Sequence, residues 1–397
     1  MEAWRLATSA HVAAAAATAR KHRRFGIDTE FMSEGRYRAL LCLVQIAVEE
    51  PAADGGPPIL LIDTLAEVDV TPLAELLADP EVEVVLHAGR QDVALLRRVW
   101  KTEVTNLFDT QIAAGFAGAS AQSGYGNLLS QILGRRVGKT AGYTRWDTRP
   151  LTEEQLSYAA EDVAHLLELA DEIQSRLRQS SRLEWAREEC RRLESATDER
   201  DPGSAWERLP RIGQLDPRAR AVARELAAWR ERTASQEDRP VGSILADPAL
   251  LEVAKRQPTS LRGLEQIRGI HPSGLRRRGR AILDAIELGR GAAPIPREEA
   301  RVRFDPGDAP LISLAEALLR ARALEAGLAY ELIASRAELE LIVSAARRGE
   351  PAPSVRTLEG WRSELVGDEL RDLLSGRSAV SIGEDRRLIL TPGRSEA

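Results

Sequence analysis

The sequence predicts an α/β domain built on a mixed sheet, followed by two small all-α modules. Strand-like and helix-like segments alternate through about the first 180 residues, and after Ser180 the strand signals fade into helical spacing. A break rich in proline and glycine, Gly289 to Pro310, then divides the helical part in two. The length of 397 residues agrees with this plan, because it exceeds what one ordinary core organises.

The first element is a helix from about Ser9 to Arg20, favoured by the alanine run Ala13 to Ala17. That run has neither the basic start nor the strongly apolar centre of a signal peptide. The next stretch, Arg24 to Phe31, alternates apolar and acidic residues with period two and reads as a strand. A second strand, Ala39 to Val48, is broken by Gln45; it is too short to span a bilayer and is expected to be buried. A turn at Pro51 to Pro58 leads to a third strand, Ile59 to Asp63. Helix Thr71 to Leu77, strand Val82 to His87 and helix Gln91 to Val99 follow, and Asn106 to Ala113 begins as a strand and turns into helix. Beyond Ser180, Pro217 to Arg232, Pro248 to Lys255, Leu261 to Gln266 and Leu275 to Leu288 have helical spacing, with Asp216, Asp247 and Ser260 as N-caps. A last helical set runs from Ile312 to about Leu374. The expected domains are residues 1–195, 211–290 and 311–385.

Hydrophobic residues make up 43% and charged residues 29%, as in an ordinary soluble globular protein. No stretch is long and apolar enough for a membrane helix, so no membrane partner is expected. The two cysteines, Cys42 and Cys190, argue for structural thiols in a reducing, cytoplasmic compartment and against a disulfide framework. The net charge of -6 does not advertise nucleic-acid binding, but a basic patch can be local. Between Leu251 and Arg290, nine basic residues stand against four acidic ones, and Arg276, Arg277 and Arg278 form the densest cluster. A solvated helix face is the ordinary reading of such a run; a phosphate-binding face is the functional one.

Chemistry is suggested by carboxylates in three places. Asp28 and Glu30 lie two apart on a strand and so share a face, an unfavourable pairing unless a cation sits between them. Asp92 falls in the first turn of a helix after the strand ending at His87. Tyr158 and Asp162 are four apart and share a helix face. Taken singly, Asp92 could serve the helix macrodipole and Tyr158 could be a half-buried core residue with a polar handle. The scattered His22, His87, His165 and His271 have no zinc spacing. Gly138-Lys139-Thr140 is no nucleotide-binding P-loop, because Gly134 to Gly138 leaves three intervening residues where four are needed. No nucleotide cofactor is expected.

In order, Ile27-Asp28-Thr29-Glu30-Phe31-Met32, Leu86-His87-Ala88 with Asp92, and Tyr158-Ala159-Ala160-Glu161-Asp162 resemble the three exonuclease motifs of the DEDD superfamily, in its tyrosine branch. The histidine of the other branch would stand five before Asp162, where this chain has Ser157. Leu41 to Ala47, Phe108 to Ala114 and Arg149 to Val163 extend the resemblance to the ribonuclease D family. Leu226 to Trp229 with Arg230, Arg239-Pro240, Pro258 and Ile267 to Ile282 are similar to the helical HRDC module. Ser335-Arg336 and Gly360-Trp361-Arg362 with Glu364 are similar to the second such module of bacterial members.

The resemblance implies an RNase H-like exonuclease domain acting on RNA from a single-stranded 3' end, with tRNA precursors as the family expectation. It implies two divalent ions, Mg2+ or Mn2+, held by Asp28, Glu30, Asp92 and Asp162, with Tyr158 directing the attacking water. Thr29, Phe31 and His87 would lie at the terminal nucleotide, and the chain is expected to act as a monomer. One departure falls between the second and third motifs, where Arg145 stands in place of an acidic residue while Lys139 and Trp146 still align. A DNA exonuclease and a lapsed, RNA-binding scaffold are the competing readings. The catalytic unit is expected to stand without the helical modules, so that truncation near Arg208 would spare cleavage of short oligonucleotides.

Overall fold

The structure is a computed structural model that describes residues 4–50, 58–120, 122–136, 145–296 and 305–393. Its N-terminal half begins with strand β1 (Trp4–Leu6), helix α1 (Ser9–His22) and strands β2 (Arg24–Met32), β3 (Leu40–Ala47) and β4 (Ile59–Asp63). Helix α2 (Thr71–Leu77), strand β5 (Glu83–Leu86), helix α3 (Arg90–Trp100), strand β6 (Leu107–Asp109) and helix α4 (Thr110–Phe116) follow. The short α5 (Tyr125–Leu128), which continues as one π turn, precedes α6 (Glu153–Ala164), α7 (Leu166–Gln179) and α8 (Leu183–Glu194).

The six strands form one mixed sheet in the order β1-β4-β3-β2-β5-β6. β3 runs antiparallel to both β2 and β4, while β2 with β5, β5 with β6 and β1 with β4 are parallel. Meander connections suit the antiparallel strands, and helical crossovers suit the parallel ones. The edge strand β1 was not expected; three residues are too few to show a period, and it takes its place by pairing with β4. Each face of the sheet carries its own core. Val12, Ile27, Val44, Ile46 and Leu96 pack on the side of α1 and α3, whereas Leu43, Leu61, Ala159, Val163 and Ile173 pack on the side of α6 and α7. Both cysteines are free and buried, as structural thiols should be.

The first helical module comprises α9 (Pro217–Glu237), α10 (Val241–Ile244), α11 (Asp247–Arg256), α12 (Leu261–Glu265) and α13 (Pro272–Gly291). Asp216 and Ser260 cap their helices as expected, but Asp247 is already inside α11, and its carboxylate instead accepts from Arg230 at 2.5 Å. This module docks on the loop after β2. The Tyr37 hydroxyl donates to Glu231 at 2.7 Å in a buried contact, and Arg36 pairs with Asp238 at 2.8 Å.

The second module contains α14 (Ala309–Ala326), α15 (Tyr330–Ile333), α16 (Arg336–Arg348), α17 (Gly360–Arg362) and α18 (Asp368–Leu374). It is not purely helical, because β7 (Ser378–Ile382) and β8 (Leu388–Pro392) form an antiparallel hairpin after α18. Nor does it stand apart from the α/β domain. Trp361 stacks on Trp185 of α8 with centroids 5.3 Å apart and meets the edge of Phe116 of α4 at 5.0 Å. The fully buried Arg362 grips Glu189 of α8 with contacts of 2.5 and 3.0 Å. A truncation near Arg208 would therefore uncover apolar surface and take from Glu189 its Trp361 and Arg362 partners, leaving it Arg192 of its own helix.

Candidate active site

The centre of the sheet delivers the first two carboxylates. Asp28 and Glu30 project from β2 on the face covered by α6, with Gln45 and Leu43 of β3 directly opposite them. The register with β3 shifts between Glu30 and Phe31, and Met32 beyond the shift still packs on the face of α6 while Phe31 packs on the other. Helix α6 opens with a capping box between Thr152 and Gln155, which fixes its start and thereby the height of Tyr158 and Asp162 over the sheet. Oxygen atoms of Asp28, Glu30 and Asp162 come within 4.8 Å of one another.

Asp92 reaches the same place from α3, on the opposite side of the sheet. It lies outside that triad but near enough for its charge to raise both Asp28 and Glu30. Its turn is held by Asp109, the N-cap of α4, whose carboxylate accepts four backbone N–H groups, from Ala88, Gly89, Gln111 and Ile112, at 2.8 to 3.2 Å. Gly89 is required in that turn, since a Cβ there would lie 2.4 Å from the Leu86 side chain. The holding role of Asp109 was missed from sequence, although the segment Phe108-Asp109-Thr110-Gln111 had been singled out.

Electrostatics mark the cluster as unstable by itself. Burial and the charges of Asp92, Asp162 and Glu30 push the Asp28 carboxyl well above the usual range. Burial with Asp162 and Asp92 pushes Glu30 up to about 8, and burial lifts Asp162 to about 6 against the hydrogen bond from Tyr158. Burial also raises Asp92, opposed by the Thr29 hydroxyl. Desolvation and the neighbouring carboxylates raise the Tyr158 phenol, so it stays protonated at neutral pH and acts as a donor.

The other expected contacts divide. Phe31 is half-buried and packs against the core on the side of α1 and α3, the face opposite α6. Thr29 is buried, and its hydroxyl is committed to Asp92; it positions a carboxylate and offers no side chain to a nucleotide. His87 has Nδ1 3.0 Å from the Thr110 hydroxyl, which itself donates to the Leu86 carbonyl, so Nδ1 carries the proton. Burial lowers the imidazole to about 4 and its Nε2 is enclosed, so His87 is a neutral packing partner of Tyr125 and no open phosphate contact. Arg276 and Arg277 are exposed on α13, but Arg278 is buried and bound to Glu237 at 2.5 Å and to the Ile244 carbonyl. Arg278 is therefore withdrawn from the set of nucleic-acid contacts. Arg145 pairs with Asp147 at 2.8 Å, and Lys139 lies outside the described residues.

Residues 6–178 match the family model for a 3'-5' exonuclease, and residues 219–286 match the HRDC domain. A ribonuclease D of Gluconacetobacter diazotrophicus is 36% identical, aligned over 91% of this chain and 90% of its own length. The chain belongs to the ribonuclease D family. The relative from Granulibacter bethesdensis is also 36% identical, over 96% of this chain and 95% of its own. The crystal structure of Escherichia coli RNase D, described as an exoribonuclease involved in structured RNA processing, superposes with a TM-score of 0.81 at 28% identity. That superposition covers 94% of this chain and 99% of the E. coli one, so the ribonuclease D fold extends through both helical modules.

Proposed function

We infer that this ribonuclease D family member removes nucleotides from the 3' end of RNA with two divalent ions, Mg2+ or Mn2+, and releases nucleoside 5'-monophosphates. The convergence of Asp28, Glu30 and Asp162 carries the reading, because three half-buried carboxylates with oxygens within 4.8 Å of one another form an all-oxygen donor set suited to a hard cation. Asp28 belongs to the central strand and would serve both ions, with Glu30, Asp92 and Asp162 completing the set. When bound, the ions supply Lewis-acid polarisation of the scissile phosphate and acidify the attacking water. Tyr158, held as a phenol against Asp162, orients that water. Phe31 flanks the terminal nucleotide, and the exposed Arg276 and Arg277 hold the RNA backbone.

The substrate is RNA with a single-stranded 3' end, with tRNA precursors as the physiological candidates. The protein acts as a monomer in the cytoplasm with no nucleotide cofactor. End-labelled RNA and DNA of equal sequence, each incubated with Mg2+, Mn2+ or EDTA, test the reading. Mononucleotide release from RNA alone, abolished by EDTA, is the expected result; equal digestion of DNA or persistence in EDTA would overturn it.

A further inference from the structure

Arg149 lies in the segment that leads into α6, and its guanidinium is saturated. Nε and Nη2 donate to the two oxygens of Asp63 at 2.7 and 2.6 Å, and Nη2 donates also to the Cys42 carbonyl at 2.9 Å. Nη1 donates to the Trp146 and Thr148 carbonyls, both at 2.7 Å. These bonds use every N–H group that a guanidinium possesses. An arginine just before the third exonuclease motif invites a reading as a phosphate contact, but this one has no donor left to offer RNA.

The clamp joins the sheet to the loop before α6. On the sheet side, Cys42 lies in β3 and Asp63 ends β4. Asp63 pairs with Leu43, and Leu43 pairs with Glu30 of β2, so Asp63 and Glu30 stand at one level and on one face, two strands and roughly 10 Å apart. On the loop side, the Arg145 carbonyl accepts from the Thr148 hydroxyl at 2.8 Å and from the side-chain amide of Gln155 in α6 at 3.5 Å. The buried Trp146 ring lies against the ring of Tyr158, with centroids 6.2 Å apart and planes at 36°. Through Trp146 and Gln155, Tyr158 is thus supported by a loop that Arg149 ties to the level of Glu30.

We propose that Arg149 is a positioning residue for Tyr158, setting the place of the phenol over the carboxylate cluster without touching RNA. The Thr152 capping box shapes the first turn of α6, and the bonds from Arg149 to Asp63 and Cys42 tie the loop before that turn to the sheet. A hydroxyl that orients water has little tolerance, since a displacement of about 1 Å by a distant substitution can cost about 100-fold in rate. Lysine at this place would keep the charge, but its three donors sit on one atom and cannot span Asp63, the β3 carbonyl and both loop carbonyls.

The inference rests on the reading of Tyr158 as the residue that orients the water, and single-turnover cleavage of single-stranded RNA with Mg2+ separates the two. Arg149→Lys should lower the cleavage rate about 10- to 100-fold while RNA affinity stays within about twofold of wild type. In a Tyr158→Phe background the same change should lower the rate by less than about threefold, because the hydroxyl it positions is gone. Asp63→Asn weakens the anchor and leaves Arg149 in place; it should show the same pattern with a smaller loss, and it replaces Arg149→Lys if that variant fails to fold. Rates are read well below each variant's melting temperature, so that unfolding contributes nothing. A Tyr158→Phe variant as fast as wild type would overturn the reading of Tyr158 itself. With that reading standing, a wild-type rate in Arg149→Lys, or losses that multiply in the double variant, would overturn the positioning role and leave Arg149 a structural clamp. Weakened RNA affinity with an unchanged rate would overturn it too and make Arg149 a phosphate contact.

Discussion

Replacing Asp28 by Asn removes a ligand charge and at the same time relieves the repulsion among Asp28, Glu30 and Asp162. Turnover should fall by orders of magnitude, while the metal-free protein melts at a higher temperature than wild type; an active Asp28→Asn variant would refute the proposed mechanism. The same repulsion sets a pH dependence. Glu30 has its pKa raised in the fold from 4.5 to about 8, so the folded state prefers the protonated acid. Stability from this group is complete below pH 4.5 and is lost as the pH climbs through about 8. In EDTA the melting temperature should therefore decline between pH 5 and pH 8.5. Mg2+ should raise it more at pH 8 than at pH 6, because the ion replaces protons; differential scanning calorimetry at both pH values reads the difference, and equal shifts would speak against a carboxylate ion site. Tyr158→Phe keeps the ring against Trp146 and removes only the donor. A loss of roughly 10² to 10⁴ in kcat with RNA affinity preserved is expected from single-turnover assays, and an unchanged rate would leave Tyr158 as a packing residue.

At the scale of elements, α13 shows how far a charge run can be read. Arg276, Arg277 and Arg278 are adjacent, so they point about 100° apart around the helix and cannot share one face. Leu275, Arg278, Ile282, Ala285 and Ile286 follow the apolar spacing, and the structure buries Arg278 on that stripe with Glu237 as its counter-charge. The spacing carried this information, but composition drew attention to the cluster as a unit. Neutralising Arg276 and Arg277 together should reduce the slope of log affinity against log salt by about 1.4, at ~0.7 per contact with single strands. Arg278→Ala should leave that slope unchanged and instead cost about 1.5–3 kcal/mol in folding stability through the abandoned Glu237. The longer strands and helices were legible because each shows several turns of its own period, and Asp28, Glu30, Asp92, Tyr158 and Asp162 were legible as an ordered set. Strand β1 has too few residues to show a period and exists through its partner β4. The β7 and β8 pair escaped notice because its apolar residues fall on both faces, Val380, Leu388 and Leu390 against the core and Ile382 and Ile389 towards solvent, which leaves no apolar alternation to read. Asp109 acts through what it faces across the fold, and no local pattern encodes that.

In the whole molecule, the second module completes the catalytic domain's core. A single apolar cluster runs from Phe116, Ala186 and Ile173 of the catalytic half to Ile312, Leu318 and Trp361 of the second module. Glu189 is the polar centre of this junction. It accepts from the Trp361 indole at 3.1 Å and from two guanidinium nitrogens of Arg362, whose Nε donates to the Leu332 carbonyl at 2.7 Å. Helix α8, which carries Glu189 and Trp185, also carries Cys190 beside the Asp109 backbone, so the junction adjoins the turn that holds Asp92. A buried ion pair resists the loss of one partner more than the loss of both, and an aromatic in a shared core supports both sides of it. Trp361→Ala should therefore cost about 3–5 kcal/mol. Because the core is common, the loss should also speed hydrogen exchange in α4 and α8 of the catalytic domain, well outside the mutated module. A chain ending near Arg208 should bind hydrophobic dye and lose cleavage of short oligonucleotides on warming, since Phe116 and Trp185 lose their cover. If Trp361→Ala instead leaves exchange in α4 and α8 at the wild-type rate and α14 to α18 melt in a separate transition, the two halves fold independently.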